Sequence, residues 1–145
     1  MYEFLKKYVV NDVKEENNEI YIFYPVSESD ITDAEKRMGF KFPNSLKQFY
    51  REIGYGFMAY GGNNINRIMH PDDIADYFCD DEVYDYVDKE YYEKDELVFF
   101  HISGQDFLTM VYDGKKEGEI LCFHRKIADS FEDFISKMYA EPNYF

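Results

Sequence analysis

Apolar positions recur along the chain at two periods, helical spacing in the first half and at the end, strand-like runs between. From Met1 to Val9, residues Phe4, Leu5, Tyr8 and Val9 keep a helical spacing that predicts a short amphipathic helix. Asn11 to Glu19 is polar and predicts a loop, and Ile20 to Tyr24 is a short extended run stopping at Pro25. Ser27 to Thr32 is rich in helix-capping residues, and Thr32 with Glu35 has the spacing of a capping box. Ile31, Ala34, Glu35 and Met38 follow at helical spacing, with Gly39 placed as a C-cap. After the bridge Phe40-Lys41-Phe42, Pro43 is placed to start a second helix, because its missing N–H costs nothing there. Leu46, Phe49, Tyr50 and Ile53 make that helix's apolar face, and Gly54 ends it.

Gly54, Gly56, Gly61 and Gly62, mixed with Tyr55, Phe57, Met58 and Tyr60, predict a glycine-punctuated loop or hairpin with aromatic anchors. Ile65 to Met69 suits a short strand, and Pro71-Asp72-Asp73 a helix start with Ile74, Tyr77 and Phe78 inward. Three strands are expected over Glu96 to Ile102, Phe107 to Tyr112 and Glu119 to His124, the last two joined by the turn Asp113 to Gly118. Ile127 to Tyr139 predicts a closing helix capped by Asp129 or Ser130, with Phe131, Phe134, Ile135 and Met138 on one face. Helices first, a meander and a closing helix imply an α+β fold.

The length of 145 residues is usual for one domain, so residues 1–145 are expected to form a single domain. Apolar residues make up 46%, and 20% of the chain is aromatic, which is enough for a core and excludes global disorder. Two cysteines, Cys79 and Cys122, do not make a disulfide framework; reduced, buried thiols are expected. The N-terminus has no apolar stretch of the secretory kind, and no run approaches a membrane span, so a cytoplasmic location is expected.

Charge changes the picture. The net charge is −14, which repels nucleic acid and anionic lipid and attracts basic partners. Twelve acids against two lysines between Asp72 and Glu96 place −10 of it in one segment. Six aromatics are interleaved there: Tyr77, Phe78, Tyr84, Tyr86, Tyr91 and Tyr92. Ile74, Tyr77, Tyr84, Val87 and Tyr91 fit a helical stripe with a gap at Asp81. The bland account is a solvated face. The functional one is a docking surface, with Asp80, Asp81, Glu82, Asp85 and Asp88 supplying charge and Tyr84, Tyr86 and Tyr91 acting as anchors.

Other chemistry finds less support. The acids lack EF-hand spacing, with no glycine at the turn such a loop needs, so no metal site or cofactor is expected. His70, His101 and His124 form no zinc pattern with the cysteines; Cys122 and His124 would share one face of a strand, as core residues do. Ser103 and Ser130 carry no nucleophile motif, and Gly54-Tyr55-Gly56 is a lone Gly-x-Gly after a helix. Catalysis is not expected.

The stretch DITDAEKRMGFKFPNSLKQFYREIGYGFM, Asp30 to Met58, resembles the N-terminal signature of the SUKH superfamily, the Smi/Knr-type domain. Glu35, Gly39, Phe42-Pro43, Leu46, Phe49 and Gly54 occupy the matching places, although the family's usual Asn-Gly is Ile53-Gly54 here. Ile65 to Tyr77, Phe99 to Asp113 and Ile127 to Met138 resemble the strand-plus-helix, central strands and closing helix that follow. The resemblance implies an α+β domain with a central mixed or antiparallel sheet flanked by helices. It further implies a non-catalytic immunity protein, an antitoxin that neutralises a cognate polymorphic toxin. The acidic segment points to a basic toxin, such as a nuclease, as the partner. A regulatory or scaffold interaction module is the alternative. With 29 Phe and Tyr residues, some aromatic surface is expected, and a homodimer is compatible with it.

Overall fold

The computed structural model describes residues 1–10, 20–79, 81–89, 92, 95–112 and 116–145. Seven strands form one sheet in their sequence order, each neighbouring pair antiparallel: β1 (Ile22–Tyr24), β2 (Tyr55–Phe57), β3 (Arg67–Ile68), β4 (Glu96–Ser103), β5 (Asp106–Val111), β6 (Ile120–Cys122) and β7 (Arg125–Ala128). Helices α1 (Glu28–Met38) and α2 (Asn44–Glu52) lie between β1 and β2, α3 (Pro71–Phe78) between β3 and β4, and α4 (Phe131–Ala140) after β7. The expected α+β class is the one observed, with the sheet antiparallel throughout its named strands.

Local chemistry sets the helix ends. The α1 capping box is Ser27 with Asp30, not Thr32 with Glu35: Ser27 Oγ accepts the Asp30 N–H at 3.1 Å, and the Asp30 carboxylate accepts the Ser27 N–H at 3.1 Å. Thr32 instead lies inside the helix and donates its hydroxyl back to the Glu28 carbonyl. Gly39 closes α1 in the left-handed region, φ +84°. Pro43 stands one place earlier than expected, as the N-cap of α2. Glu35, in the family signature, reaches the turn between these helices, where it accepts the Phe42 N–H. Ser130 caps α4, whose start is Phe131 rather than Ile127.

Phe49 of α2 and Phe131 of α4 pack edge-on at 5.2 Å, and Phe131 meets Phe99 of β4 at 5.7 Å. Phe134 touches Phe99 and Phe100. All five rings are fully buried, and each contributes about 1.5–3 kcal/mol on leaving water. Leu46, in the same signature, is buried with them. A bulge between Val98 and Phe100 lets Phe99 and Phe100 both face α4. The next residue, His101, points to the opposite face with its cross-strand partner Phe107, the rings stacked at 4.6 Å.

The first helix forms where expected, as a 3-10 helix over Glu3–Tyr8. Two expectations fail here. The stripe across the acidic segment is not one helix: α3 stops at Phe78, and a 3-10 turn follows at Glu82–Tyr84. The third strand ends at Cys122, and β7 occupies the chain where the closing helix was expected to begin. The Asn11 to Glu19 loop and residues 113–115 of the β5–β6 turn lie outside the described residues.

Candidate functional site

The segment between α3 and β4 is held down from beneath by its apolar side chains. Tyr77 and Tyr84 pack on Phe107 at 5.8 and 6.3 Å, and Tyr92 meets the same ring at 6.2 Å. The Tyr92 hydroxyl donates to the Gln105 carbonyl at 3.2 Å and accepts the Phe107 N–H at 3.1 Å. Tyr84 and Val87 are buried, and burial pushes the Tyr84 phenol up to about 12, so it stays neutral. Tyr84 is thus corrected from an anchor offered to a partner to a core residue: its ring is committed to Tyr77 and Phe107.

Lys89 turns the same way. Its ammonium lies 4.7 Å from the Tyr77 ring centroid and donates to the Tyr77 carbonyl. A cation so placed interacts with the ring quadrupole and leaves the outer surface to the carboxylates. That surface carries Asp81, Glu82, Asp85 and Asp88, all exposed, with Val83 and Tyr86 between them at 63% and 47% exposure. Asp81 also caps the 3-10 turn, accepting the Val83 N–H at 3.0 Å. Asp80 and Tyr91 of the expected surface lie outside the described residues.

Beside this wall, the β4–β5 and β6–β7 turns border a cleft of about 190 Å³ lined by Asp88, Tyr92, Gln105, Asp106 and Phe123. The β6–β7 turn is a two-residue hairpin in which Phe123 and His124 both have positive φ, +50° and +66°. Such turns normally carry Asn-Gly, so a Phe-His pair gives no turn signal in the sequence. The sequence therefore carries no local mark of Phe123 or of the cleft. The hairpin also corrects the placement of His124, which is outside the strand, next to the buried Glu96 carboxylate at 3.4 Å.

Other candidates have structural roles. His70 is the N-cap of α3: its Nδ1 accepts the Asp72 N–H at 3.0 Å. The neutral ring then carries its proton on Nε2, which faces Asp30 at 3.5 Å. Asp30, His70 and Asp72 could converge on a metal ion, but a ring so bonded has no lone pair left for one. Ser103 lies in β4. Cys122 is buried as expected, whereas Cys79 is exposed, its thiol 3.4 Å from the Arg37 carbonyl. No described helix is long and apolar enough to cross a membrane.

Comparison with known proteins agrees with the architecture. The chain is 30% identical over 153 aligned positions to a protein named Immunity protein YxxD from Bacillus subtilis (strain 168), covering 99% of this chain and 94% of that one. No solved structure gives a significant match. The profile of the SMI1 / KNR4 family (SUKH-1) matches residues 25–137, from Pro25 before α1 into α4, and the chain belongs to that family.

Proposed function

We propose that this chain is an immunity protein, an antitoxin that acts in the cytoplasm by binding a cognate polymorphic toxin. The observation that carries the reading is similarity along nearly the whole of both chains to a protein named as an immunity protein. Binding without catalysis is the corresponding mode of action. The acidic wall of Asp81, Glu82, Asp85 and Asp88, with Tyr86 at its centre, is the docking surface. Asp80 and Tyr91 belong to the same segment. A basic toxin domain fits it, and a nuclease is the natural class, since nucleases carry cationic clefts for phosphate.

The wall acts chiefly on encounter. Charge concentrated on one side steers a basic partner, raising association towards about 10⁸ M⁻¹s⁻¹ at low salt. Because Tyr77, Tyr84 and Tyr92 are already packed under the loop, little ordering entropy remains for them to lose on binding.

The test has two stages. The tagged chain captures its partner from the native cell at low salt, and the captured protein is co-expressed with and without the chain. Growth restored only by the chain supports immunity. A non-toxic partner, such as a kinase or envelope enzyme, replaces it with a regulatory module. Association is then timed for the Glu82→Lys/Asp85→Lys variant. At least tenfold slower association with a weaker salt dependence is expected, and unchanged association removes the wall as the docking surface.

A further inference from the structure

The cleft beside the acidic wall has the chemistry of a receptor for one side chain. Its volume of about 190 Å³ is below the range of about 300–1,000 Å³ usual for small-molecule sites. It has the size for one long side chain rather than a metabolite. Two carboxylates, Asp88 and Asp106, come from separate elements, the acidic segment and the start of β5. Gln105 adds an uncharged polar residue. Among the described residues the aromatic lining is Tyr92, with its two hydrogen bonds, and Phe123, 48% exposed at the tip of the β6–β7 hairpin.

We infer that this cleft takes an arginine side chain of the protein partner, with the guanidinium paired to Asp88 and Asp106 and its flat face against Phe123. Carboxylates and an aromatic face together suit a planar, weakly hydrated cation better than an ammonium. Arginine is also among the residues that most often dominate interface energetics. A lysine would keep the charge but lose the bidentate and stacked contacts. The inference rests on the toxin-binding reading and narrows it to one contact.

The test uses the full chain and a defined probe. N-acetyl-arginine methylamide is titrated into the isotope-labelled protein and followed by amide NMR. Saturable millimolar shifts are expected at Gln105, Asp106, Phe123 and His124. The lysine analogue should bind at least threefold more weakly, and the neutral citrulline analogue should produce no shifts. The isosteric Asp88→Asn/Asp106→Asn variant should abolish the response. Phe123→Asn, which suits the turn, should weaken it while the protein stays folded. Shifts spread evenly over the acidic surface, or an equal response in the Asn variant, would overturn the assignment.

The captured partner separates the two ideas. If every variant protects cells from it and binds it equally, immunity stands and the cleft is not its arginine receptor. If arginine binds at the cleft but the partner is not a toxin, the cleft stands and immunity falls.

Discussion

The Glu35 carboxylate accepts the backbone N–H of Phe42 at 2.8 Å and lies 3.5 Å from Lys47 Nζ, so one side chain of α1 fixes the turn into α2. Phe42 is buried, and its amide would be left without that partner in Glu35→Ala. The expected loss is about 1–3 kcal/mol in urea denaturation. Glu35→Gln retains a carbonyl acceptor and should lose less. An Ala variant as stable as the parent would show that the carboxylate does not hold this turn.

Two glycines of the family signature differ in what they tolerate. At Gly39 a Cβ would meet open space, leaving only the cost of the left-handed backbone, about 1–2 kcal/mol for Gly39→Ala. At Gly54, φ +125°, a Cβ would lie 1.9 Å from the Tyr24 carbonyl oxygen, so β1 must move. Gly54→Ala should therefore lose more than about 3 kcal/mol or fail to fold. Equal thermal midpoints for the two variants would contradict this ordering.

Acid should weaken the fold through its capping carboxylates. The Ser27 N–H holds the Asp30 carboxyl below its ordinary value of 3.8, and the Asp129 N–H, then Lys137, does the same for Asp133. A folded pKa below the unfolded one adds stability above 3.8 that is lost as pH falls through the folded value. Urea midpoints should therefore drop below about pH 4, and Asp30→Asn combined with Asp133→Asn should flatten that decline. A decline of unchanged steepness in the double variant would assign it to other carboxylates.

Relaxing the β6–β7 turn should stabilise the protein. Phe123→Gly removes the penalty of a left-handed phenylalanine, about 1 kcal/mol, which corresponds to a midpoint about 2–4 °C higher. Calorimetry settles the direction, and a lower midpoint would mean that the exposed ring contributes more to the fold than its backbone costs.

Much of this architecture is legible in the chain because local signals and burial agree. Gly39, Leu46, Phe49 and Gly54 each do in the fold what their type and spacing predict. Misreadings arise where tertiary contacts override spacing. Ile127 lies in register with the helix face of Phe131 and Phe134, yet Ala128 of the same strand pairs with Ile120 as β7. The acids around Tyr84 predict a surface position, but Phe107, distant in sequence, takes it into the core. Asp106 and Phe123 join the cleft through sheet pairing, which no local pattern encodes.

The strand order has a kinetic consequence. Each strand pairs with its neighbour in sequence, so the four strands from β4 to β7 are joined by short loops and can zip up one hairpin at a time. The costly closures are two, β3 finding β4 across α3, from Ile68 to Phe100, and β1 finding β2 across the α1–α2 excursion, from Tyr24 to Tyr55. Since loop closure is slow to be repaid, the β4–β7 half should nucleate folding, and β1 should dock last.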